Sequence, residues 1–367
     1  LKKYTDMVSK GEDFPLSKFG SRHSAASEAV GYGKSLMLFH MARRAVGDED
    51  FLAALSLFDR ENRFTRAAFA DIATAFTDET GGDWGPFVEE WVARKGAPEL
   101  KIHEARVEEG APGEAPWRVM VHLRQIQEEE PFPITVPVAV TLEGREDPIW
   151  VEAGSCGRDC VVEVPCPARP VRVDVDPVFD VMRRLDALEV PPALSTVFGA
   201  EDPLFVLPAA ASNEEMALWR QLATDWARPA DPRCLLDSVI EALPDTPAWV
   251  LGWGNRFGAE IAGRVAEQGV AVETEKVQLV GDTLSPSDHS LVLVARAKGN
   301  PAAALGWVAA APAEAVPGLG RKLPHYTRYS YLAFRGSEPE NVAKGMWQPL
   351  RSPMVRNLTD GEMPALV

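Results

Sequence analysis

The stretch Gly31-Tyr32-Gly33-Lys34-Ser35-Leu36-Met37-Leu38-Phe39 decides how the first part of the chain is read. The apolar run continues through Met41 and Ala42, so it is apolar nearly all round. That predicts a helix buried on most faces. A tyrosine and a lysine stand at its entrance. A phenol at such a mouth can donate a hydrogen bond to negative charge developing on a substrate oxygen. Tyr32 can also be read as a half-buried core tyrosine whose hydroxyl is already satisfied.

Outward from this stretch, boundary signals predict three more helices. Asp48 is read as the cap of the second helix, with Glu49 and Asp50 in its first turn, where the helix dipole favours acids. Thr65 is read as the cap of the third. Asp83 is read as the cap of the fourth, whose Trp84, Phe87, Val88 and Trp91 recur at helical spacing. Gly96 and Pro98 then stop it.

Taken in order, Tyr32-Gly33-Lys34-Ser35, Gly47 with Phe51, and Trp91 with Gly96 and Pro98 resemble the end of the catalytic domain of the M1 family of zinc aminopeptidases, the gluzincins. The resemblance spans roughly Gly31 to Asp176. Ser35 departs from it, standing where the family usually has glycine. The resemblance implies peptide hydrolysis in which a zinc-bound water attacks the carbonyl and a glutamate acts as general base. It implies for Tyr32 the catalytic role of binding the oxyanion. The His-Glu-x-x-His zinc motif of that family does not occur before Tyr32. The six histidines include no pair at i,i+4, so they form no helical zinc site. The expectation is a C-terminal fragment of a longer protein. Zinc and the peptide substrate would belong to the full-length parent, and this chain alone would be inactive and metal-free.

From Glu99 the apolar period changes to two. Leu100 with Ile102, Val119 through Leu123, Ile134 through Val140, Ile149 with Val151, Val162 with Val164, and Val171 through Val175 predict six short strands of an antiparallel sandwich. Pro137 within one of them is expected on an edge strand. Phe179 to Leu188 reads as a short helix. From Leu204 onward strands and helices alternate, which predicts a mostly parallel, Rossmann-like sheet with helices on both faces. Ser212-x-x-Glu215 is a capping box, and Asn300-Pro301 is read as a helix start. The predicted fold class is therefore multidomain α+β, in the order helical bundle, β-sandwich and Rossmann-like α/β domain. The expected boundaries are 1–98, 99–178, a linker at 179–202, 203–345 and a tail at 346–367.

Within the last domain Gly252-Trp253-Gly254-Asn255-Arg256-Phe257-Gly258 follows a strand and opens a helix. Glycines there let a phosphate approach backbone N–H groups, and Glu273 ends the next strand, where a dinucleotide site keeps its ribose-binding acid. Gly252, Gly254, Gly258 and Glu273 are thus candidate nucleotide-binding residues. The spacing is one residue too long, and Trp253 and Phe257 are bulky. A tight strand-to-helix turn is the other reading. The competing function is a non-catalytic module whose α/β domain binds a nucleotide or a protein partner.

A net charge of −16 argues against nucleic-acid binding and against an anionic membrane surface. No apolar run is long enough to insert into a bilayer. Cys156, Cys160 and Cys166 could bind metal or remain free thiols. A Cys156–Cys160 disulfide would point to an oxidising compartment such as a periplasm; a cytoplasmic location stays open.

Overall fold

The structure, a computed structural model, describes residues 1–8, 13–110, 113, 115–349 and 352–361. It is a mixed α/β protein with several helices and several antiparallel sheets. The chain forms two compact units, Leu1–Glu189 with Arg351–Val367, and Val190–Leu350.

The first unit begins with helices α1 (Lys2–Met7) and α2 (Ala25–Glu28), followed by a π-helical turn, Ala29–Lys34. Helices α3 (Ser35–Val46), α4 (Asp48–Asn62), α5 (Phe69–Thr80) and α6 (Gly85–Ala93) come next. The α4 N-cap is Gly47 at φ +85°, so Asp48 is the first helical residue rather than the cap. Thr65 caps nothing: its hydroxyl donates back to the Asn62 carbonyl at 2.8 Å, and α5 starts only after Ala68. There the Asp71 carboxylate accepts from the Ala68 N–H at 2.7 Å, which satisfies an orphan donor of the helix start.

Strands β1 (Leu100–Glu109), β2 (Trp117–Gln125), β3 (Ile134–Leu142), β4 (Ile149–Cys156), β5 (Asp159–Cys166) and β6 (Pro170–Val175) follow. One sheet runs β1-β2-β5; the other contains β6-β3-β4. The period of two does what it should: Val119, Val121 and Leu123 of β2 and Val136, Val138 and Val140 of β3 are all buried. They join Tyr4, Val30, Leu38 and Trp91 in one core. Helices and sandwich therefore share their apolar interior. Pro137 is a correction: β3 is an interior strand. The proline lies just past the end of the β6 pairing, which begins at Val138, and beside the bulge between Ile134 and Val136. A disulfide joins Cys156 to Cys160 across the β4–β5 turn and so links the two sheets.

After β6 no helix forms over Phe179–Leu188 apart from a single 3-10 turn, Ala187–Glu189. Buried Asp176 takes the Asp180 and Val181 N–H groups at 2.6 and 3.3 Å, and its other oxygen accepts from Arg183 Nε at 2.7 Å. Arg183, itself buried, also holds Glu189. Side-chain bonding to local amides has displaced the helix.

The second unit contains α7 (Leu194–Phe198), β7 (Leu204–Leu207), α8 (Asn213–Ala227), β8 (Arg233–Leu236), β9 (Ala248–Leu251), α9 (Gly258–Arg264), β10 (Val270–Val272), β11 (Val277–Leu279), β12 (Asp282–Leu284), β13 (His289–Arg296), β14 (Ala304–Ala309), α10 (Val316–Lys322), β15 (Tyr331–Arg335) and β16 (Glu340–Gly345). Its main sheet runs β16-β15-β13-β14-β9-β7-β8. Val206, Val250 and Leu293 pack on one face with Ile261 of α9; Phe205, Trp249 and Val292 pack on the other with Trp219 of α8 and Leu319 of α10. Both faces are covered, which is why these strands read as continuous apolar runs.

The sheet is only half parallel. Strands β8, β7, β9 and β14 pair in parallel; β14-β13, β13-β15 and β15-β16 are antiparallel. The expected helix at Asn300-Pro301 is instead the turn joining β13 to β14, held by Ala303 N–H to the Asn300 carbonyl at 3.0 Å. Without a crossover helix there, the next strand had to run antiparallel. Finally β17 (Val355–Asn357) returns to the first unit and pairs with β6.

Candidate functional site

Tyr32 lies in the π-helical turn, one residue after Gly31 and one before Gly33. Single π-turns of this kind inside α-helices are frequent at functional sites. The ring of Phe19 covers Gly31 so closely that a Cβ there would come within 2.3 Å of it. The same ring meets Tyr32 edge-on at 5.7 Å. Phe19 thus fixes the turn from one side.

Lys34 fixes it from the other. Its side chain is fully buried, and Nζ donates to the Arg94 carbonyl at 2.6 Å, beyond the end of α6. An ammonium on that carbonyl satisfies an orphan acceptor and faces the negative end of the α6 dipole. Burial pushes the Lys34 pKa down to about 8, partly opposed by Asp13 and reinforced by Arg94. Asp13 accepts from the Tyr4 hydroxyl and from the Gly96 N–H at 2.8 Å. Burial, with Asp13 next, raises the Tyr4 pKa. The tyrosine–lysine motif and the Trp-to-Gly-Pro motif, some 60 positions apart, are joined by the Lys34–Arg94 hydrogen bond and by Asp13, which bonds Gly96 and acts on Lys34 through its charge.

What the turn presents is Tyr32 itself, 62% exposed. One helical turn on, Leu36 is 65% exposed, and only Met37, Leu38 and Ala42 of α3 are buried. The expectation of a helix buried on most faces is corrected: Leu36, Arg43, Arg44 and Ala45 of α3 are exposed. Phe19 also lines an open groove of about 710 Å³ with Phe69, Ala73, Val88 and Val92. An exposed phenol on a rigid, solvent-facing turn can donate a hydrogen bond outward.

The glycine turn behaves oppositely. Gly252 adopts φ +89°, its N–H donates to Val308 at 2.8 Å, and its carbonyl accepts from Trp307 Nε1 at 3.1 Å. Gly258 begins α9 beneath the Trp307 ring, where a Cβ would approach to 2.5 Å. Gly254 faces open space. At the start of the helix, the Arg256, Phe257 and Gly258 amides have internal acceptors. Arg256 N–H donates to the buried Asp237 carboxylate at 3.0 Å, which also takes Ala209 N–H at 2.9 Å. Phe257 and Gly258 N–H groups donate to Asn255. Glu273 is exposed at the β10–β11 hairpin, in a separate sheet ordered β10-β11-β12. The three glycines share one turn; Glu273 is on another element.

Sequence reasoning missed Phe19, Asp13 and Asp237. Each acts across a long separation, and only Asp237, an acid directly after the apolar run Leu235-Leu236, carried any local signal. Among the described residues no group of three or more His, Cys, Asp or Glu side chains could hold a metal ion, and no helix is long and apolar enough to cross a membrane.

No protein-family model matches the chain. A 77-residue stretch is 29% identical to the tricorn protease-interacting factor F2 of Thermoplasma volcanium, covering 21% of this chain and 10% of that protein. A 70-residue stretch is 30% identical to aminopeptidase N of Lactococcus lactis subsp. lactis, covering 19% and 8%. The matched stretches thus span about a tenth of the length of these relatives. The crystal structure of Legionella pneumophila aminopeptidase A in complex with aspartic acid aligns with 57% of this chain and 23% of its own, at 16% identity and TM-score 0.34. So loose a superposition carries no argument. The sequence similarity is local and aminopeptidase-like.

Proposed function

We propose that the chain is the C-terminal part of an M1-like zinc metallopeptidase, in which Tyr32 hydrogen-bonds the oxyanion that develops on a peptide carbonyl. The observation that carries this reading is the exposed Tyr32 on a turn held rigid by Phe19 and by the Lys34–Arg94 bond. The local aminopeptidase-like similarity supports it. A donor held in place before the charge appears requires little reorganisation, and one such donor contributes roughly 3 kcal/mol to the transition state.

The described residues do not fit a zinc ion, so no step through the metal is derived from this chain. In this reading zinc, the general base and the peptide-binding cleft belong to the parent's other half. The chain by itself, supplied with zinc and an aminoacyl anilide, is expected to show no turnover. Turnover that Tyr32→Phe abolishes would overturn that inactivity. In the full-length parent, Tyr32→Phe is expected to lower kcat about a hundredfold or more with little change in KM. A parent whose kcat survives the substitution would remove Tyr32 from the chemistry.

A further inference from the structure

Within the first unit, a cleft of about 470 Å³ opens between α3, the start of α6 and the β3–β4 edge. That is the size of a small-molecule site. Tyr32 does not line it, and none of its lining groups belongs to the Tyr32 turn. Its walls are Met41, Trp84, Phe87, Trp91, Ile134 and Val181. The rings are held in place. Trp84 Nε1 donates to Thr80 Oγ1 at 2.9 Å, and Trp84 meets Phe87 edge-on at 5.3 Å and Phe76 at 5.2 Å. Trp91 is buried and stacks on Phe132 at 5.2 Å.

The charges at the rim do not balance. Arg44, the one Lys or Arg lining the cleft among the described residues, is 3.1 Å from Asp180, which also receives His40 Nε2 at 2.7 Å. Two further carboxylates remain. Asp83 accepts only the Gly85 N–H, at 3.1 Å, and the exposed Glu152 carboxylate has no partner among the described residues. Aromatic faces and uncompensated carboxylates both attract cations, and the net charge of −16 adds to that field. An apolar body is needed to cover the walls.

We infer that this cleft binds a small organic ammonium with an aromatic or branched apolar body, its charge at Glu152 and Asp83 and its body against Trp84, Phe87 and Met41. Anions are disfavoured there, because Arg44 is already engaged by Asp180.

The test is a ligand-observed NMR titration of the intact chain with phenethylamine, 2-phenylethanol and 3-phenylpropionate. Phenethylamine is expected to saturate with Kd of about 1 mM, in keeping with the affinity per atom of so small a ligand. The alcohol is expected to bind several-fold more weakly, and the acid not at all. Glu152→Gln, at an exposed position, should weaken the amine about threefold. Thr135→Arg, also exposed and lining the cleft, should abolish saturation by placing a second cation in the mouth. Both variants leave the core untouched and are expected to keep the wild-type Tm. The inference is overturned if the amine does not saturate, if amine and alcohol bind alike, or if neither variant changes the amine's Kd.

Discussion

The Tyr32 turn and the glycine turn at 252–258 look alike as sequence: each sets glycines around a polar task at the mouth of a helix. They differ in where their polar groups point. In the first, Lys34 is tied to Arg94 and Gly31 is covered by Phe19, and Tyr32 is left exposed. In the second, the Arg256, Phe257 and Gly258 amides at the helix start are taken by Asp237 and Asn255. A motif can bind only with groups the fold has not already used, since each backbone donor has one hydrogen to give.

The contrast can be broken most forcefully at Asp237. Asp237→Ala would leave the Ala209 and Arg256 amides without their acceptor, and a loss of about 3 kcal/mol in unfolding free energy is expected from denaturant titration. If inorganic phosphate then restored that stability in the variant, the turn would be a masked anion site rather than a structural one. A loss well under 1 kcal/mol would mean the carboxylate is not what satisfies the turn.

The Lys34 side of the contrast is sharpened by pH. The pKa of Lys34 is lowered to about 8 in the folded state, so between that value and the ordinary lysine range the unfolded chain binds more protons. Stability contributed by this group therefore rises with pH across that window. Relative to Lys34→Met, the wild type should gain about 2 kcal/mol between pH 7 and 9.5. Parallel stability curves for the two proteins would place the ammonium in water rather than in the interior.

The smallest effect expected is none. NAD, ATP and flavin mononucleotide at millimolar concentration should shift the Tm by less than about 1 °C, because a ligand stabilises only in proportion to its binding. A clear dose-dependent shift would show that the glycine turn yields its internal partners to a nucleotide.

Much of this was legible in the chain. The change of apolar period at Glu99, from helical to two, separates the helices from the sandwich strands, and buried Val119, Val121 and Leu123 follow it residue by residue. The alternation after Leu204 announces strands packed on both faces. What local pattern could not supply was pairing. Asn300-Pro301 suits a helix start and a turn alike, and only the partner strand made it a turn, which left the sheet half antiparallel. Pro137 suits an edge by propensity, yet sits in an interior strand because the β6 ladder stops one residue short of it.

The same division holds for the site. Tyr32, Lys34, Gly96 and the glycine turn are fixed by sequence alone as residues able to donate, cap or bend, because those capacities reside in single side chains and single φ angles. Whether each capacity is spent inside or left for a ligand was decided by tertiary structure. Phe19 with Gly31, Lys34 with Arg94 and Asp237 with Arg256 meet across 12 to 60 positions of chain, and such contacts exist only once packing has excluded water and brought distant segments together.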